Sequence, residues 1–285
     1  MSFPRTPETS LPTEAHDPIP LLLRDLVLER TGTHFDSERI GLMLDKLEPR
    51  LKATGSSSFL EYFYLLKYDD KGPQEWRRVM DAFSVQETYF WRELDQIRAL
   101  VERVIPAWFA QTTRPFRIWS AACASGEEPY SIVIALLEAG LGHYPIEIVA
   151  SDASEAALEK ARTAIYRERS FRALPAGLRE KYFVPHPDGS LLRPEVSSRV
   201  VFQWANLVAL DESTTVPQAE VIFCRNVFIY FSPATIRKVV TAFAKRVPAK
   251  GQLFVGASES LLKLTDQFEL QELADAFVYE RTATS

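Results

Sequence analysis

The sequence predicts an α/β fold: a parallel sheet with helices on both faces, preceded by a small all-α unit and interrupted by an antiparallel insertion. Three observations predict it. Apolar residues recur at helical spacing from Pro18 to about Phe83. After Pro115, short apolar runs rich in β-branched and aromatic residues alternate with amphipathic stretches. Residues 165–199 then break the alternation with four prolines, two glycines and a Pro187-Asp188-Gly189 turn signal.

Taken in order, residues 1–17 (MSFPRTPETSLPTEAHD) are rich in proline and hydroxyl residues and poor in apolar ones, the composition of a flexible leader. The all-α unit over 18–90 follows, with apolar sets at Leu22, Leu23, Leu26 and Val27, then Ile40, Leu44, Leu47 and Leu51, then Phe59, Phe63 and Leu66. Breakers at Gly32, Gly55 and Gly72-Pro73 separate them, and Asp36 or Ser37 and the run Ser56–Ser58 are plausible helix starts. Within 91–285 the expected strands are 117–123, 146–152, 200–206, 221–226 and 252–258, and the expected helices are 127–139, 154–164 and 233–246. The insertion, 165–199, carries KYFV and LLRPEV on either side of its turn signal, and FELQEL and FVYERT near the C-terminus read as a hairpin on the sheet edge.

Composition narrows the function. The 285 residues are 46% hydrophobic, enough for a substantial core, and 33 Lys+Arg against 38 Asp+Glu give a net charge of −5. That balance argues against nucleic acid as a partner. Two cysteines, Cys123 and Cys224, are too few for a disulfide framework, and His16, His34, His143 and His186 are too scattered for a His-rich metal centre. No apolar run reaches the roughly 20 residues of a membrane span and no signal sequence opens the chain, so a cytoplasmic location without membrane insertion is expected.

The chemistry concentrates where strands end. The turn Ala121-Ala122-Cys123-Ala124-Ser125-Gly126-Glu127-Glu128-Pro129 has the place of a phosphate cradle, yet holds one glycine and two carboxylates. Glu127 and Glu128 either serve the helix dipole or face a cationic ligand. A cofactor with an amine and a sulfonium but no phosphate, S-adenosylmethionine, meets the second description. Asp152 ends the second strand at the spacing of a ribose-binding acid, or caps the next helix. Asn206 closes the third strand and Arg225-Asn226 the fourth, where an open α/β sheet binds ligands; a buried Arg225 satisfied by an acid is the alternative.

At four linked segments the chain resembles the CheR family of chemoreceptor glutamate methyltransferases: Glu87–Arg92 (ETYFWR), Ser120–Ser131 (SAACASGEEPYS), Ala150-Ser151-Asp152 and Phe223–Phe231 (FCRNVFIYF). The resemblance covers about 18–285. It implies a Rossmann-like S-adenosylmethionine-dependent methyltransferase sheet, an N-terminal helical domain and an antiparallel subdomain inserted after the second strand. By motif position it implies that Gln86, where the family usually has asparagine, Thr88 and Arg92 contact the cofactor. Glu127 would take the methionine amino end, Asp152 the ribose, Asn206 and Leu207 the adenine surroundings, and Arg225 and Asn226 would complete the pocket. Arg92 and Tyr230 resemble the residues nearest the transferred methyl. Trp91 stands where phenylalanine is commoner and is expected to pack.

The implied partner is the acidic, helical methylation region of a chemoreceptor, with a receptor-tail peptide at the β insertion as a further contact. Arg39, Lys46, Arg50 and Lys52 form a candidate docking set against a background of solvated surface charge, and Arg167, Arg169 and Arg172 a second. Two readings compete with the enzyme: a cofactor-binding signalling module without turnover, and a nicotinamide dehydrogenase, which the acidic, glycine-poor turn disfavours.

Overall fold

The structure is a computed structural model that describes residues 17–212, 216 and 218–282; the leader, apart from Asp17, lies outside them. Four helices come first: α1 (Ile19–Thr31), α2 (Ile40–Thr54), α3 (Phe59–Tyr68) and α4 (Gly72–Phe83). Their starts are the ones the polar residues mark. The Asp36 side chain accepts from Arg39 N ahead of the turn leading into α2, and Ser58 accepts from Glu61 N at the start of α3. Their apolar faces bury Leu23, Val27, Met43, Leu47, Tyr62 and Val79 in a core of their own.

A buried polar knot ties α2, α3 and α4 together. Arg50 donates twice to Glu75, at 2.9 and 2.7 Å, and the Tyr62 hydroxyl donates to the same carboxylate at 2.8 Å. This corrects the expectation for Arg50: its guanidinium is spent on the core of the helical unit. Lys52 pairs with Glu48 one turn away at 2.7 Å on the exposed face of α2.

After α5 (Leu94–Ala99), a π-helical turn at Leu100–Val104 and α6 (Ile105–Phe109) comes the sheet. Its strands are β1 (Phe116–Ala121), β2 (Ile146–Asp152), β6 (Val200–Trp204), β7 (Val221–Cys224), β8 (Gln252–Val255), β9 (Phe268–Leu273) and β10 (Ala276–Arg281), in the order β6-β2-β1-β7-β8-β10-β9. All pairs from β6 to β8 are parallel, and β10 runs antiparallel between β8 and β9 as the edge hairpin expected at the C-terminus. The crossovers carry α7 (Glu127–Glu138), α8 (Glu155–Thr163) and α11 (Pro233–Ala244). One face of the sheet packs Phe116, Ile118, Phe223 and Phe254 against Tyr130 and Ile134, and the other packs Trp119, Ile222 and Leu253 against Val239 and Phe243. Each such burial stabilises by roughly 1.5–3 kcal/mol.

The insertion holds β3 (Ile165–Tyr166), α9 (Ala176–Tyr182), β4 (Phe183–His186), β5 (Gly189–Leu192) and α10 (Pro194–Ser197), with the three strands antiparallel in the order β3-β5-β4. Pro187-Asp188 makes the β4–β5 turn, as the sequence indicates. Phe90, from the segment linking α4 to α5, is stacked on Phe171 and edge-on to Tyr166 and Phe183. That aromatic anchor fixes the linking segment against the insertion.

The chain leaves β1 toward β2 and β6 on one side and returns to β7 and β8 on the other. The switch point therefore lies between the C-terminal ends of β1 and β7, where open α/β sheets bind ligands. The polar residues expected to end the strands, Asn206 and Arg225-Asn226, fall just beyond the ladders.

Candidate functional site

A cleft of about 310 Å³ opens at that switch point, walled by the sheet on one side and by the helical unit and its linking segment on the other. Its floor is the β1–α7 turn. Ala122 (φ 58°), Ala124 (φ 47°) and Gly126 (φ 91°) all occupy the left-handed region, and the turn's N–H groups are spent within the protein, Cys123 N on the Ser151 carbonyl, Ala124 N on Asp152 and Gly126 N on the Cys123 carbonyl. Two alanines thus do what glycines do in the usual cradle, at a strain of roughly 1–2 kcal/mol each. Gly126 alone is forced: a Cβ there would sit 2.9 Å from Ala161 Cβ and 3.2 Å from the Tyr166 hydroxyl.

Asp152, at the end of β2, is 8% exposed and reaches across to this turn. One carboxylate oxygen accepts from Ala124 N at 2.9 Å and the other from Ser154 N at 2.8 Å. Burial pushes its pKa up, against the pull of those N–H groups. The cap of α8 is Ser154, whose hydroxyl accepts from Ala157 N, so Asp152 is left to orient the turn and face the cleft.

The two adjacent glutamates divide. Glu128 lines the cleft, accepting from Ser120 Oγ at 2.6 Å and from Arg225 Nε at 2.6 Å. Glu127 is 2% exposed and turned beneath the floor, where it accepts from Ser125 Oγ and Ser170 Oγ. Burial raises its pKa. Arg225 is the satisfied buried arginine weighed as an alternative: its side chain is 2% exposed, and besides Glu128 it donates to the carbonyls of Arg92 and Glu93 and to Gln96 Oε1. It also lines the cleft, so it braces the wall while carrying its own counter-ion.

Asn226 (φ 61°) follows in a left-handed conformation, its N–H donating to Glu259 and its amide to Glu93. Asn206 lines the opposite end beside Leu207 and donates to the Arg30 carbonyl at the end of α1. Thr88, Arg92 and Tyr230 line the cleft as well. Arg92 Nη1 donates to the Glu87 carbonyl at 2.8 Å, and Tyr230 is 37% exposed. Among the described residues, neither the Thr88 nor the Tyr230 hydroxyl takes a hydrogen bond from or gives one to the chain.

Of the ten residues singled out from the sequence, eight share this lining: Thr88, Arg92, Asp152, Asn206, Leu207, Arg225, Asn226 and Tyr230. Glu127 and Gln86 stand outside it. The Gln86 side-chain amide oxygen, Oε1, accepts instead from Lys160.

Sequence reasoning missed a whole wall. Thr31, Thr33, His34, Phe35, Arg39 and Lys46 line the cleft from the helical unit. Thr33 bridges Phe231, and His34 N donates to the Tyr230 carbonyl at 2.9 Å. The sequence offers Arg39 and Lys46 only as docking cations, and only the place of Thr33–Phe35 after the Gly32 break hints at a loop. The supporting acids Glu93 and Glu259 were also missed; Glu259 accepts from Asn226 N, Ile229 N and Gly256 N. Arg172 pairs with Glu87 at 2.6 Å and lies 3.8 Å over Tyr89, bracing the linking segment. Arg167 donates to the Asp188 carbonyl.

The charge arrangement is asymmetric. Asp152 and Glu128 come from the strand ends, Glu128 already paired with Arg225, while Arg39, Lys46 and Arg92 come from the helical unit and its linking segment, where the one lining carboxylate, Glu87, is paired with Arg172. An acid- and amide-lined floor fits a cationic, phosphate-free cofactor. Two family descriptions match the chain in tandem: "CheR methyltransferase, all-alpha domain" over residues 21–84 and "CheR methyltransferase, SAM binding domain" over residues 86–277. The chain belongs to the CheR methyltransferase family. It is 36% identical to Chemotaxis protein methyltransferase 2 of Vibrio cholerae over 266 residues, covering 90% of each chain. It is 32% identical to the Chemotaxis protein methyltransferase of Salmonella typhimurium, covering 86% of this chain and 85% of that one. CheR membership makes S-adenosylmethionine the cofactor and methyl transfer in chemotaxis the activity.

Proposed function

We propose that this CheR enzyme methylates glutamate side chains in the cytoplasmic methylation region of a chemoreceptor, forming methyl esters. The observation that carries the reading is the charge left over once the internal pairs are set aside: Glu128 is neutralised by Arg225 and Glu87 by Arg172, which leaves the Asp152 carboxylate for the cofactor and Arg92, with the Tyr230 hydroxyl, for an incoming carboxylate. Asp152, Asn206, Leu207 and Thr88 would hold the cofactor, with the Arg225-Asn226 backbone closing the pocket; when bound, it supplies a sulfonium methyl as electrophile.

A glutamate carboxylate is already ionised near neutrality, its ordinary pKa being about 4.3, so no general base is required. What the chain supplies is placement. Arg92 gives a charge-assisted hydrogen bond to one carboxylate oxygen and the Tyr230 hydroxyl orients the other, at an approach of roughly 3–3.5 Å to the methyl carbon. Too strong a grip by Arg92 would stabilise the ground state, and its bond to the Glu87 carbonyl limits that grip. Glu128 neutralises Arg225 and so removes it from competition for the substrate.

The same reading divides the chain into a helical domain over 18–90 and a methyltransferase domain over 91–285, works in the cytoplasm, and gives the 165–199 insertion to a receptor-tail peptide. The test is transfer of labelled methyl to a receptor fragment, with release of the label as methanol in mild base. Label that resists base, or that persists when the receptor's glutamates are replaced by alanine, refutes the glutamate ester.

A further inference from the structure

A second cavity, about 860 Å³, lies between the α3–α4 corner of the helical unit and the outer side of β6, the sheet's edge strand. It is unlike the cofactor cleft in charge. Arg30, Lys67 and Arg77 converge on it with a single carboxylate, Asp69, which already accepts from Lys71 N. Among the described residues none of the three cations is paired with an acid, whereas Arg24, Arg50, Lys52, Arg117, Arg162, Arg172, Arg179, Lys181 and Lys245 all are.

Flat surfaces accompany the charge. Arg77 lies 4.7 Å over the Trp204 ring at the cavity, and Lys67 stands between the rings of Phe63, at 5.3 Å, and Tyr68, at 5.5 Å. Trp204 is itself fixed by donating to the Ala153 carbonyl at 2.7 Å. Gln203, beside it, presents a buried amide nitrogen with no acceptor among the described residues.

We propose that this groove is a second ligand site, for a small anionic molecule bearing a planar ring, with the chemistry of a purine nucleotide. The phosphate takes Arg30 and Lys67, and the ring stacks on the Arg77–Trp204 pair. S-adenosylmethionine does not meet this chemistry, being cationic at sulfur and free of phosphate. The two cavities share Met80, Ala205 and Asn206 as a common wall, so a ligand here borders the cofactor cleft without entering it.

The experiment is calorimetric titration of the full chain with AMP and with GMP, the cofactor cleft first saturated with S-adenosylhomocysteine. Saturable binding of either nucleotide is expected below about 1 mM, weakened about tenfold or more by Arg77→Ala and by Lys67→Ala, with S-adenosylhomocysteine affinity within twofold of the parent. Both substitutions remove exposed or stacked cations outside the cofactor cleft, and retained S-adenosylhomocysteine binding certifies that each variant is folded. The proposal is overturned if neither nucleotide saturates, if a nucleotide displaces S-adenosylhomocysteine, if pyrophosphate binds as tightly as the nucleotides, or if neither substitution weakens binding.

Discussion

At the floor of the cleft Arg225 is 2% exposed and bonded to Glu128, Gln96 and the carbonyls of Arg92 and Glu93, whereas at the mouth Arg92 keeps one bond to a carbonyl and the Tyr230 hydroxyl keeps none among the described residues. The floor is fixed before any ligand arrives. The mouth retains free bonding capacity. Pre-formed geometry suits a cofactor of constant shape, and spare donors suit the carboxylate substrate proposed above.

Breaking the floor should therefore cost stability, and breaking the mouth should cost rate. Arg225→Ala leaves Glu128 buried and uncompensated, so urea unfolding should show a loss of about 3–5 kcal/mol; a loss under about 1 kcal/mol would deny the floor its structural role. Arg92→Ala should leave stability within about 0.5 kcal/mol while turnover on a receptor fragment falls by about a hundredfold. Near-parental turnover would remove Arg92 from substrate positioning. Tyr230→Phe keeps the ring and should lower kcat about tenfold, the worth of one hydrogen bond, with cofactor affinity unchanged.

The smallest effect sharpens the contrast between Glu127 and Glu128. Burial holds the Glu127 pKa above its ordinary value in the folded state. The stability this contributes is complete below the unfolded value of about 4.3 and is lost as pH rises through the folded pKa. Glu127→Gln removes that dependence. Melting temperatures of parent and variant should diverge in the variant's favour as pH rises from about 4 to 7. S-adenosylhomocysteine affinity should remain, since Glu127 lies beneath the floor; a large loss of affinity would return Glu127 to the cofactor.

Much of the sheet was legible because alternation of short buried runs with amphipathic helices is a local signal, and the strand ends announced themselves through Asp152, Asn206 and Arg225-Asn226. Ser58 marked a helix start by the same local logic, whereas the cap of α8 is Ser154 and not Asp152, the candidate the sequence offered. The conformation of the β1–α7 turn was not legible, because alanine at 122 and 124 gives no sign of a left-handed backbone. The choice between Glu127 and Glu128 turns on the helix phase set by Gly126, which spacing alone does not reveal. Thr31 to Lys46 join the cleft only through docking of the helical unit on the sheet, and Arg50 was read as surface because its partner Glu75 lies on another helix.

The strap from Thr33 and His34 to Phe231 and Tyr230 crosses between the two lobes at the reacting end of the cleft. The reach of the Tyr230 hydroxyl is consequently a property of lobe alignment as well as of one side chain. Slack between lobes translates directly into misaligned attack, so a substitution buried far from the cleft in either lobe can throttle methylation while leaving every residue of the pocket in place.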